Sequence, residues 1–175
     1  DVTHPTRDDL HEVGVESKII QLLRMPDDNY KALIEGVKRV RIESISEKDD
    51  YWLAQFNDLE DTAAESTETL PLVRAIHSRF AELVALSPKI PSEMAPSIES
   101  IEAPGQLSDA FIPYLPMSSE KRQTFLINVD PVDRLQQILA FIQAEIDLLE
   151  IDLKIKNRVK DQMEQNQREY YLNEK

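Results

Sequence analysis

From Asp130-Pro131 to Lys175 the sequence contains neither glycine nor a further proline, and its apolar residues recur in steps of three and four. Asp130 suits an N-cap and Pro131 suits the first helical position, where the fixed φ helps and the missing N–H costs nothing. The spacing predicts one helix over 131–175. At about 1.5 Å per residue it reaches about 67 Å, more than the diameter of a small domain, so part of it must leave any core it helps to build. Leu135, Leu139, Ile142, Ile146, Leu149 and Leu153 follow the spacing of a coiled-coil seam. The proximal half is expected to pack on the chain's own helices. Beyond Leu153 only a thin stripe of Ile155, Val159 and Met163 continues. There Glu150-Lys154, Asp152-Lys156, Lys160-Glu164 and Glu164-Arg168 are spaced to pair across turns, which keeps a solvated segment helical. Met163, Tyr170 and Tyr171 are large and adaptable or amphipathic, and are expected to meet a partner chain.

Two other zones precede this helix. Residues 1–60 read as β-rich: Ile19, Ile20, Leu22, Leu23 and Met25, a Pro26-Asp27-Asp28-Asn29 turn, then Tyr30 to Ile34 make a hairpin. Gly36 breaks the pattern before Val37, Val40, Ile42 and Ile45, and Tyr51 to Phe56 supply a further strand, giving four. Such a sheet has open edges, and further strands are expected upstream of Asp1. Residues 61–130 read as helical. An acidic, loop-like stretch from Asp58 to Glu68 leads into an amphipathic helix carrying Leu72, Val73, Ile76, Phe80, Leu83, Val84 and Leu86. Shorter helices follow over 92–101, 105–115 and 118–128. The fold class is therefore α+β, a partial β-rich subdomain followed by a helical bundle and one very long projecting helix.

Charge and composition exclude several functions. Twenty Lys and Arg against thirty-three Asp and Glu give a net charge of −13, which disfavours nucleic acid and anionic lipid as partners. No apolar run is long enough to span a membrane. The absence of cysteine removes disulfides, thiolate metal sites and thiol nucleophiles, and suits a reducing compartment such as the bacterial cytoplasm, with a mitochondrial matrix as the lesser alternative. A phosphate-binding loop needs clustered glycine amides, but Gly14, Gly36 and Gly105 lie far apart. His4, His11 and His77 lack the spacing of metal ligands, and His77 is expected as a packed or surface residue. Carboxylate pairs such as Glu12 with Glu16 and Asp147 with Glu150 arise readily in an acidic chain. No catalytic, cofactor-binding or metal-ligating residue is therefore expected. The sequence begins at Asp1 without an initiator Met or an apolar leader, and is expected to belong to a longer protein.

The distal stretch KNRVKDQMEQNQREYYLNEK, within Ala144 to Lys175, resembles the helix that precedes the ATPase module in Lon proteases, the ATP-dependent AAA+ serine proteases. Upstream, IIQLLRMPDDNYKALIEGVKRVRI, Ile19 to Ile42, is similar to that family's amino-terminal β-domain, with its hydrophobic strand, Pro-Asp turn and L-x-E-G-x-x-R-x-R-I run. The segment from Lys89 to Pro116 resembles the family's helical subdomain. Positions matching the family's opening strands, its Walker and sensor motifs and its Ser-Lys dyad are absent, so no catalytic or nucleotide-binding residue carries over.

The resemblance implies the non-catalytic amino-terminal region of a serine endopeptidase whose ATP and Mg belong to an ATPase module outside this sequence. That region would engage unfolded or damaged protein substrates, support assembly with other Lon subunits into a homo-hexamer and gate the ATPase channel. Candidate substrate contacts are Met163, Tyr170, Tyr171, Met25 and Tyr51, while neighbouring Trp52 is read as core. A pure oligomerisation arm without substrate contact is the alternative, and an autonomous enzyme is the third class.

Overall fold

The computed structural model describes residues 6–62 and 69–173. His4 and the end of the expected acidic loop lie outside them. The architecture is a three-stranded antiparallel sheet followed by helices, the last of them very long.

The chain forms two compact units. The first holds β1 (Val13–Arg24), β2 (Tyr30–Lys48) and β3 (Tyr51–Asp58) in the order β1-β2-β3, together with helix α4 (Ser119–Ile127). Three strands replace the four expected because β2 runs straight through Gly36. The register slips there, Glu16 facing Lys38 and Ser17 facing Gly36, so that Val37 is the extra residue of a bulge. A Cβ on Gly36 would stand 3.2 Å from a methyl carbon of Val15, a close approach that explains a glycine in a strand. The hairpin turn is as expected: the Met25 amide donates to the Asn29 carbonyl (2.7 Å), and Asp28 takes a left-handed φ of 63°.

Helix α4 belongs with the sheet, although composition groups it with residues 61–130. Gln123 Nε2 donates to the Val13 carbonyl (2.8 Å), Arg39 Nε to the Leu126 carbonyl (3.2 Å), and the Thr62 amide to the Val129 carbonyl (2.9 Å). These hydrogen bonds pair groups up to 110 residues apart in sequence, and no local periodicity encodes them. Ser118 caps α4 by accepting from the Lys121 amide.

The second unit contains α1 (Thr69–Leu86), α2 (Met94–Glu99), α3 (Pro104–Phe111) with a 3-10 turn at Ile112–Tyr114, and α5 (Pro131–Asn173). Its core is apolar: Ile76, Phe80 and Leu83 of α1, Leu107 and Phe111 of α3, and Leu135, Ile138, Ile142 and Ile146 of α5 are all buried. The Phe80 and Phe111 rings meet edge to face at 4.8 Å, an arrangement worth about 0.5–1.5 kcal/mol beyond area burial. The proximal half of α5 thus packs on α1 and α3, as its seam predicts. The seam runs through Ile138, which is buried, while Leu139 is half-buried.

Candidate functional site

A soluble domain normally hides its large apolar side chains, so those left outside mark where a partner belongs. Apart from Leu10, Leu70 and Ile127, those among the described residues gather in two places. The first is the sheet. Of all strand residues only Val13 and Val40 are buried, and Ile19, Ile20, Leu22, Leu23, Leu33 and Ile34 are exposed. Successive strand residues point to opposite faces, so Leu22 with Leu23 and Leu33 with Ile34 make this ribbon apolar on both sides. β1 pairs with β2 only over Tyr30–Arg41, whereas β3 pairs with it only over Val40–Lys48. From Tyr30 to Lys38, therefore, β2 has a strand on one side only among the described residues, and its other edge presents backbone N–H and C=O groups that no described strand pairs.

The candidate contacts Met25 and Tyr51 are exposed, at 42% and 60%. The structure does not bring them together. Met25 closes the β1-β2 turn and Tyr51 opens β3, at opposite ends of the 19-residue β2, a strand that reaches about 60 Å at about 3.3 Å per residue. Trp52, read as core, is instead 39% exposed, because β3 has no layer packed on it that takes up its side chains. The ribbon residues Ile19, Leu33 and Ile34 were not singled out from the sequence. Their signal was present in adjacent apolar pairs, which break the alternation of a half-buried strand.

The second place is α5. From Glu150 to Leu172 every described side chain is exposed, including Met163 at 67% and Tyr170 at 61%. The side chain of Tyr171 lies outside the described residues. Leu153, placed in the seam by its spacing, is exposed because α1 and α3 do not extend beside it. Among the described residues none of the four expected pairs, from Glu150-Lys154 to Glu164-Arg168, closes into an ion pair.

Some charges of the sheet pair across its strands. Lys38 bridges Glu16 (3.3 Å) on β1 and Asp58 (2.7 Å) on β3, and hydrogen bonding to Asp58 raises its pKa. Glu12 lies 3.5 Å from Arg41. The paired carboxylates Glu12 and Glu16 are thus each matched to a base. Among the described residues no group of three or more His, Asp or Glu can hold a metal, and Gly14, Gly36 and Gly105 lie in two strands and a helix. His77 is half-buried on α1, and its Nε2 has no hydrogen-bond partner among the described residues.

Residues 1–144 match the family model of the ATP-dependent protease La (LON) substrate-binding domain. The chain belongs to the Lon substrate-binding domain family. Its relatives include the Lon protease of Azospirillum brasilense, 39% identical over 170 residues, covering 97% of this chain and 21% of that protein. The Lon protease of Escherichia coli (strain K12) is likewise 39% identical, over 97% of this chain and 22% of the relative. The chain therefore spans about a fifth of the length of these curated relatives. Among solved structures, the N-terminal domain of Mycobacterium avium complex Lon protease superposes with a TM-score of 0.67 over 79% of this chain and 74% of that one, at 17% identity. The Xanthomonas campestris Lon N-terminal domain protein gives 0.50 at 16% identity, over 78% and 72%. At such identities these two likenesses describe the Lon fold alone. Among the described residues no helix is long and apolar enough to cross a membrane.

Proposed function

We propose that this chain is the substrate-engaging part of a Lon protease and captures apolar segments of unfolded or damaged proteins along the β1-β2 ribbon. The observation that carries the reading is the ribbon itself, apolar on both faces and open at the edge of β2 from Tyr30 to Lys38. An unfolded segment can add there as an extended strand. Main-chain hydrogen bonds supply affinity without reading sequence, and alternate side chains of the client rest on Leu33, Ile34, Ile19 and Leu22. That mode suits a protease with many clients, since only backbone and greasiness are recognised. Met25 and Tyr51, at the two ends of β2, extend the contact in both directions.

In the same proposal the longer protein is an ATP-dependent serine endopeptidase of the cytoplasm. Its ATP and Mg lie in an ATPase module, and its subunits form a hexamer whose channel entrance this region guards. The matched family and the shared fold support this reading.

The test places a photo-crosslinking amino acid at Leu33, Met25 or Tyr51 of the full-length protein and offers an unfolded, fluorescently labelled casein. Label should transfer to casein at Leu33 most strongly, and a folded, compact protein should compete poorly. Crosslinks only to other strands of the protease's own chain, or none to casein, would overturn the ribbon as the site.

A further inference from the structure

The two faces of the β1-β2 ribbon are not alike. Residues paired across the strands share a face, and along each strand successive residues alternate. One face therefore carries Ile19 beside Ile34, Leu22 beside Ala32 and, at the tip, Arg24 beside Tyr30. Gly36 lies on this face too, under Val15, whose methyl carbon would stand 3.2 Å from a Cβ placed on the glycine. The other face carries Lys18 beside Glu35, Gln21 beside Leu33, and Leu23 beside Lys31. Along β2 one face thus reads Tyr30, Ala32, Ile34, Gly36, and the other Lys31, Leu33, Glu35. All of these side chains are exposed. Lys31 and Glu35 stand about 13 Å apart at about 3.3 Å per residue, too far to pair with each other, and neither closes an ion pair among the described residues.

A strand added at the open edge of β2 offers its own side chains to the two faces in turn. Those beside Tyr30, Ala32, Ile34 and Gly36 meet apolar surface, and those between them meet Lys31, Leu33 and Glu35. A wholly apolar segment sets greasy groups against two charges, and a polar one leaves Ile34 and Ile19 uncovered. An alternating segment matches both faces. The sheet also sets direction. β3 occupies the same edge of β2 and runs antiparallel to it, and the Leu59 amide makes the closing bond to the Arg39 carbonyl (3.0 Å) just before the open stretch begins. A client running antiparallel continues that line, and antiparallel pairing is slightly the more stable per residue. Its residue beside Glu35 then precedes its residue beside Lys31 by four positions. We propose that the preferred client is an extended segment of alternating apolar and polar residues, with Lys or Arg beside Glu35 and, four residues later, Asp or Glu beside Lys31. The proposal rests on the ribbon as the client site and makes Lys31 and Glu35 its specificity-determining residues: main-chain bonding admits many sequences, and the two faces rank them. Segments of this pattern are the half-buried strands of folded proteins, hidden while their sheet is intact and released when it opens.

The test measures binding of three fluorescent peptides of one composition to the full-length protein. One alternates apolar and polar residues with Lys four positions before Glu, the second alternates with Glu four positions before Lys, and the third gathers its apolar residues in one block. The Lys-first peptide should bind about threefold or more tighter than the Glu-first one. It should bind about tenfold tighter than the block peptide, which can lay only half of its apolar side chains on one face. Lys31→Glu with Glu35→Lys should invert the order of the two alternating peptides, which a merely structural effect of these exposed residues would not do. Equal binding of all three peptides, or an unchanged order in the variant, would overturn the proposal while leaving the ribbon as the client site, provided that the peptides still compete with casein labelled from Leu33. A preference for the Glu-first peptide would place the client parallel to β2 and equally overturn it. Peptides that bind without displacing casein from Leu33 would remove the ribbon itself as the site, and the proposal with it.

Discussion

Arg134 is the least expected residue of the second unit: a guanidinium 1% exposed, on a helix face otherwise filled by Leu135, Ile138 and Ile142. Its Nε donates to Ser108 Oγ (2.9 Å), whose own proton goes to the Gly105 carbonyl (2.8 Å), and Asp109 lies 4.0 Å from Nη2. Ser108→Ala removes the acceptor of the Nε hydrogen bond from a buried charged donor, which should cost about 1–3 kcal/mol. Urea denaturation followed by helix signal checks this. Ser100→Ala, whose hydroxyl is exposed and bonds only to Ser97, should cost less than about 0.5 kcal/mol. From sequence an arginine in this helix reads as a surface residue, because isolated charges are rarely buried. The serine brought up by α3 accepts from its Nε in the buried position. At the hairpin tip, hydrogen bonds from the Asn29 side chain and then its amide hold the Asp27 carboxyl below its usual range. A carboxyl with a depressed folded pKa supports the turn at pH above its unfolded value, and that support is lost as pH falls through the folded one. Asn29→Ala should return Asp27 toward an ordinary carboxyl, read by following its side-chain carbon resonance through an acid titration. An unchanged titration would remove Asn29 as the cause.

The elements were legible where one local rule decides them. Proline after aspartate opened α5, unbroken three-and-four spacing carried it to Asn173, and Pro-Asp-Asp-Asn turned the hairpin. Where a distant segment decides, the sequence gives less. Gly36 reads as a breaker, yet β1 supplies a partner strand on which a bulge absorbs the glycine and β2 continues. Likewise α4 has its own cap and length but no mark that it returns to the sheet, because Gln123 and Arg39 bond to backbone carbonyls that any residue could offer. The candidate site was half legible for the same reason: Met25 and Tyr51 stood out as types, whereas the open edge of β2 is a property of pairing. The sheet's thin burial has a measurable consequence. A two-stranded ribbon without a packed layer is marginal, so amides from Ile19 to Ile34 should exchange with deuterium at least about a hundredfold faster than those of α1 and of α5 up to Ile146. Equal protection would mean that the ribbon is shielded in solution and unfit to receive a client.

For the molecule as a whole, exposure sets two segments apart from the packed helices: the β1-β2 ribbon and the part of α5 beyond Leu149. The ribbon offers an unsaturated backbone edge and apolar faces, suited to unfolded chains of any sequence. The distal helix offers exposed apolar side chains at Ile155, Val159 and Met163. Removing residues 154–175 takes away no side chain that is buried among the described residues, so both units should keep their thermal transitions within about 2 °C. Leu33 in the β1-β2 ribbon should still label unfolded casein from the shortened chain. If the second unit instead unfolds at a lower temperature, the distal helix supports its own core. If the transitions hold and client labelling disappears, capture needs the distal helix as well as the ribbon, and the open edge of β2 alone does not account for binding.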